Sequence, residues 1–156
     1  MWANVEDGDR GERSPRRGPR VGSPGTNAAS PPLVLVVEDD ADHRSLLNAA
    51  LGGAGYEIAE AEDGSSAIEY LLHNPTPSII LLDLHMPRVS GWDVLSVMRS
   101  YIRLRRIPVI VVTGQPATVQ VPGVSVVGRV QKPVRMPELV TLVRRYVKPA
   151  PPPAEG

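Results

Sequence analysis

The run Ile79-Ile80-Leu81-Leu82 is apolar at four successive positions and is closed by Asp83. A strand apolar on both faces must be covered on both faces, which is the condition of a parallel sheet held between two layers of helices. Other short apolar runs repeat the pattern, and segments of helical period alternate with them. The spacing predicts strands at 33–38, 57–61, 78–83, 107–113 and 124–130, and helices at about 41–53, 64–74, 90–101 and 134–147. Leu46, Leu47, Ala50 and Leu51 form the stripe expected to bury the first helix, which Gly52-Gly53 ends. Leu139, Leu142, Val143 and Tyr146 play that part in the last helix, and Pro137 suits its first turn.

One connection is expected to be irregular. Thr113 and Lys132 are 19 positions apart, and the segment Gly114 to Gly123 between them carries Pro116, Pro122 and three valine or threonine residues. A fourth helix there is predicted to be short or broken, because proline removes a backbone donor and β-branched residues are poor helix formers.

Composition narrows the function. Nine of the 17 prolines lie before Leu33 or after Lys148, in stretches with few large apolar residues. Residues 1–32 are therefore expected to be a disordered tail, 33–148 the folded domain, and 149–156 an extended stub. Within the domain 12 Lys/Arg face 12 Asp/Glu, which provides no basic field for nucleic acid. The tail's Arg10, Arg13, Arg16, Arg17 and Arg20 read as solvated charges. No run of 18 apolar residues and no apolar leader is present, so a cytoplasmic protein with no membrane partner is expected.

The strand ends carry the chemistry, as they do in open α/β sheets. The first strand delivers Glu38, Asp39 and Asp40; the third, Asp83; the fourth, Thr113; the fifth leads to Lys132-Pro133. Converging carboxylates repel by roughly 3 kcal/mol per pair at about 5 Å and an effective dielectric near 20. A hard divalent cation with oxygen ligands relieves that repulsion, and Mg²⁺ suits this set better than zinc, for which no His/Cys spacing is offered. The same acids could instead cap the helix that follows them.

The ordered set Asp39, Asp83, Thr113 and Lys132 resembles the receiver domain of two-component response regulators, over about Leu33 to Lys148. The resemblance implies a flavodoxin-like α/β sandwich with a five-stranded parallel sheet in the order 2-1-3-4-5. It implies a single-domain regulator similar to the chemotaxis receiver, in which Asp83 accepts a phosphoryl group from a sensor histidine kinase or a phosphotransfer protein. Asp39, Asp83 and the His85 backbone carbonyl would ligate Mg²⁺, with Glu38 acting through water. Thr113 and Lys132 would bind the phosphoryl oxygens, and the Lys132–Pro133 peptide would be cis. His85 and Gln115 stand where the family tunes dephosphorylation.

Arg129 stands where the family carries a switching aromatic; it either presents a charge to a protein target or is a solvated residue of the edge strand. The product would be a timed signal read by protein contact, not the turnover of a substrate by an enzyme. Trp92 is expected to pack at the start of the third helix. A phosphorylation-independent pseudo-receiver, acting as a protein-binding module, is the alternative. A cobalamin module of similar fold would need glycine five residues after Asp83, where Arg88 stands, and no glycine-rich phosphate loop follows the first strand.

Overall fold

The computed structural model describes residues 30–115 and 119–152. Five parallel strands form one sheet: β1 (Leu33–Val37), β2 (Glu57–Ala61), β3 (Ile79–Asp83), β4 (Val109–Thr113) and β5 (Val126–Gln131), in the order β2-β1-β3-β4-β5. The helices are α1 (Ala41–Gly53), α2 (Gly64–His73), α3 (Gly91–Arg99), α4 (Ile102–Arg105) and α5 (Met136–Tyr146). The expected α/β class and strand order are both present. Most of the expected tails, residues 1–29 and 153–156, lies outside the described residues. Past α5, the Ala150 N–H donates to the Gly55 carbonyl at 3.2 Å, so the chain is still attached at that residue.

The three central strands are buried on both faces, and their alternation divides the core in two. Leu35, Val37, Ile80, Leu82, Val109 and Val111 pack with Leu71, Val94, Leu95 and Met98 of α2 and α3. Val34, Val36, Ile79, Leu81 and Ile110 pack on the other face with Leu47, Leu51, Leu139 and Val143 of α1 and α5. The helices begin where short acceptors satisfy their first amides. Asp40 accepts from the His43 N–H, Asp63 from Ser66, and Ser90 forms a capping box with Asp93.

Two stripe residues were overassigned. Leu46 is 59% exposed, so α1 buries Leu47 and Leu51 alone; its two-turn contact is narrower than the apolar spacing suggested. Tyr146 is largely exposed too, though its hydroxyl donates to the Val127 carbonyl. Trp92 is likewise not a packing residue: it is 42% exposed on the first turn of α3, because Gly91 beside it takes the buried position.

Among the described residues between Thr113 and Val126 there is no helix. Val119, Val121 and Val124 cover the α3 side of the sheet edge instead, and the chain turns at Gly123, whose φ is +86°. The one-turn α4 was not expected; it precedes β4 and buries Leu104. Edge strand β5 starts at Val126 rather than 124, with a bulge: Val109 pairs with Val126 but Ile110 with Gly128, leaving Val127 as the extra residue.

Candidate functional site

β1 and β3 lie side by side, with Val37 opposite Leu82, so the residues after them emerge together. Glu38 is 1% exposed and Asp83 2%, while Asp39 is exposed. One carboxylate oxygen from each lies within 4.8 Å of the others. β4 adds Thr113, 1% exposed, whose carbonyl accepts from the Lys132 N–H at 2.9 Å. That pairing ends β5 beside β4 and sets the lysine at the same edge. Its ammonium bridges two of the acids, 3.1 Å from Asp83 Oδ2 and 3.2 Å from Glu38 Oε1. The Lys132–Pro133 peptide is cis.

The loop from β3 to α3 is fitted closely to the site. The His85 N–H donates to Asp83 Oδ1 at 3.0 Å, so both oxygens of Asp83 have partners. A Cβ on Gly91 would stand 2.3 Å from the Asp83 carbonyl oxygen and 2.7 Å from Leu84 Cα. Only glycine lets α3 begin this close to the end of β3. Arg88, in the same loop, holds φ at +68°.

Burial is the main force that raises the Asp83 pKa above its ordinary value, and the hydrogen bond and negative charge of Glu38 push the same way. His85 and Lys132 oppose them without prevailing. Burial works against the Lys132 cation, but the charges and hydrogen bonds of Asp83 and Glu38 outweigh it and hold its pKa above the usual lysine value.

The profile of the response regulator receiver domain matches residues 34–144 of this chain. The chain belongs to that family. The probable methanogenesis regulatory protein FilR2 of Methanothrix harundinacea is 40% identical over 93 residues, which are 55% of this chain and 60% of FilR2. The polar-differentiation response regulator DivK of Brucella anthropi is 29% identical over 122 residues, 75% of this chain and 97% of DivK. The solved structure of a receiver protein from Pseudomonas putida superposes with a TM-score of 0.67 at 32% identity, covering 75% of this chain and 98% of that one. The protein thus carries a receiver domain of two-component signalling, similar to DivK. Receiver domains work with histidine kinases or phosphotransfer proteins and with downstream targets.

Receiver domains bind Mg²⁺ at an acidic pocket, and this receiver's own atoms fit such an ion. Glu38 Oε2 is buried without a hydrogen-bond partner, and one Glu38 carboxylate oxygen lies within 4.8 Å of an oxygen from each of Asp39 and Asp83. An orphaned carboxylate oxygen in that position is costly unless a cation meets it. Of the three acids after β1, Asp40 does the capping, while Glu38 and Asp39 belong to the acidic cluster. The hydrogen bond from the His43 N–H is the main reason the Asp40 pKa lies below the usual carboxylate value.

The remaining site residues lie at the margins. Gln115 donates its N–H to Thr113 Oγ1 at 3.1 Å, with its side chain exposed. The His85 side chain is exposed as well. Arg129 pairs in register with Val111 and is exposed, at a groove of about 840 Å³ that also takes in Pro133, Arg135, Leu142 and Arg145.

The sequence reading passed over two residues of α1. His43 Nδ1 is bonded to Glu38 Oε1, and Arg44 donates from Nη1 to the Glu38 carbonyl at 2.8 Å and from Nε to Glu60 at 3.1 Å. The signal for His43 was its spacing, three residues after the capping Asp40, which sets it in the helix's first turn beside the strand end.

Proposed function

We propose that this receiver takes a phosphoryl group onto Asp83 from the phosphohistidine of a sensor kinase or phosphotransfer protein, in a Mg²⁺-dependent reaction, and signals by protein contact. The observation that carries the reading is the buried Asp83 carboxylate, held between the Lys132 ammonium and the His85 amide at an acidic mouth. An Asp83 oxygen attacks phosphorus, the P–N bond breaks, and the donor imidazole keeps the electron pair. Lys132 follows the charge from the carboxylate to the phosphoryl oxygens, and the Thr113 hydroxyl with the amides after Asp83 binds them. Asp39, Asp83 and the His85 carbonyl would hold Mg²⁺, with Glu38 acting through water, and the ion would supply positive charge against the oxygens of the transferred group.

Water later attacks phosphorus and returns the carboxylate, with His85 and Gln115 positioned to tune the rate. The chemistry is confined to the protein's own phosphorylation and dephosphorylation, so it is not an enzyme acting on a separate substrate. The reading implies a cytoplasmic protein.

The target is a protein with an acidic face, docking at the groove where Arg129, Arg135 and Arg145 gather. Arg129→Ala should weaken that contact; unchanged affinity and unchanged phosphate dependence would remove Arg129 from the output. A pseudo-receiver reading draws on two observations, the arginine at the aromatic's place and the connection without a helix among its described residues. Intact mass after incubation with Mg²⁺ and acetyl phosphate separates the two. A phosphoryl adduct on the wild type and none on Asp83→Asn supports the phosphoacceptor. No adduct, with a phosphohistidine donor also failing, turns the reading to the binding module.

A further inference from the structure

We infer that His43 is a positioning residue of the metal pocket: it holds Glu38 so that the unpartnered Oε2 is kept for the cation side. The inference rests on the Mg²⁺ reading above and adds a residue to it. Glu38 has two oxygens in different circumstances. Oε1 meets both His43 Nδ1 and Lys132 Nζ, whereas Oε2 is buried and has no partner. A carboxylate free to turn about its last bond would exchange these oxygens. One fixed by a donor on Oε1 presents Oε2 alone, and hydrogen-bonded outer partners of this kind orient metal-site carboxylates.

Two groups hold Oε1, but they are not equivalent. Lys132 is shared with Asp83 and is the cation that must follow the phosphoryl group when it arrives. His43 has no such second duty among the contacts at the pocket. Its own position is set twice: it is the third residue of α1, and its N–H is bonded at 2.9 Å to Asp40, the residue that caps the helix. Arg44, next in the same turn, fixes the Glu38 carbonyl. The first turn of α1 thereby grips Glu38 by side chain and main chain together, and His43 stays with Glu38 when Lys132 leaves. The grip needs only an N–H donor at Nδ1, which a neutral imidazole supplies.

The test is titration of the full chain with MgCl₂, read by calorimetry and by the shift of the melting temperature. Wild type is compared with His43→Leu, His43→Gln and Asp39→Asn. Glutamine keeps a donor and leucine does not. His43→Leu should bind about tenfold more weakly, the lower end of the range for lost outer partners, and His43→Gln should stay within about threefold of wild type on the same scale. His43→Ala replaces the leucine variant if that one does not fold.

Wild-type affinity in His43→Leu, with Asp39→Asn impaired, overturns the role of His43 and leaves the metal reading standing. Equal weakening of the leucine and glutamine variants overturns the hydrogen bond as its cause. A wild type as unresponsive to Mg²⁺ as Asp39→Asn takes down the metal reading, and this inference with it.

Discussion

Asp39→Asn should make the metal-free protein more stable and deprive it of its response to Mg²⁺. The oxygens of Glu38, Asp39 and Asp83 lie within 4.8 Å of one another. At that distance two unit charges repel by about 3.5 kcal/mol at an effective dielectric of 20 and by about 0.9 kcal/mol in bulk water. Asp39 is exposed, and Lys132 already offsets part of the charge on Glu38 and Asp83, so the net relief is expected at about 1–2 kcal/mol. For a domain of this size that is a rise of roughly 3–8 °C in melting temperature. Mg²⁺ at a hundred times its dissociation constant stabilises the wild type by about 2.7 kcal/mol, and the variant should keep little of that gain. Differential scanning calorimetry with EDTA and then with saturating MgCl₂ reads both effects. An unchanged midpoint without metal, together with a full metal shift, would refute the argument that the three acids share one charge-stressed pocket.

Gly91→Ala should destabilise by about 1–3 kcal/mol, the range for overpacking, since its Cβ would meet backbone that cannot swing aside; urea denaturation measures it, and a neutral result contradicts the close approach of α3. Arg88→Gly should stabilise by up to about 1 kcal/mol by relieving the left-handed φ, less the entropy glycine brings to the unfolded chain, and a loss in the same assay would oppose it. The pH dependence follows from Asp83. Its folded pKa is raised, so its contribution favours the metal-free fold below the ordinary value of 3.8 and is lost as pH rises through the raised value. The thermal shift given by Mg²⁺ should therefore shrink as pH falls through that window, and a shift independent of pH there would contradict a protonated Asp83 competing with the ion.

The central strands could be read from sequence because burial on both faces writes itself as unbroken apolar runs, as at Ile79–Leu82. The termini of these runs named Asp83 and Thr113 for the same reason: the polar residue that closes a buried strand has to emerge at its mouth. Lys132 follows edge strand β5, which carries the exposed Arg129 and Gln131, so hydrophobicity marked it less sharply. The helix stripes were read less well. Leu46 and Tyr146 fit an apolar period, yet both are exposed, since periodicity does not report how wide a stripe the neighbouring element covers. The β4–β5 connection hid its structure because prolines and valines rule out a regular helix without saying what replaces it. His43 escaped notice since its part depends on the hydrogen bond it makes across a turn, and no pattern of hydrophobicity reports that.

The bulge in β5 separates the length of one loop from the placement of the lysine. Val127 is an extra residue between the pairs Val109–Val126 and Ile110–Gly128, and beyond it the pairing runs without a break to Thr113–Gln131. A chain lacking Val127 could keep each of those later pairs and would bring Lys132 to the same edge, at the loss of the acceptor of the Tyr146 hydroxyl and of the Val127 side chain packed against the core. Insertions and deletions in the β4–β5 connection are thus absorbed upstream of the pocket, so this segment can diverge in length and sequence while the alternation that delivers Lys132 keeps its parity.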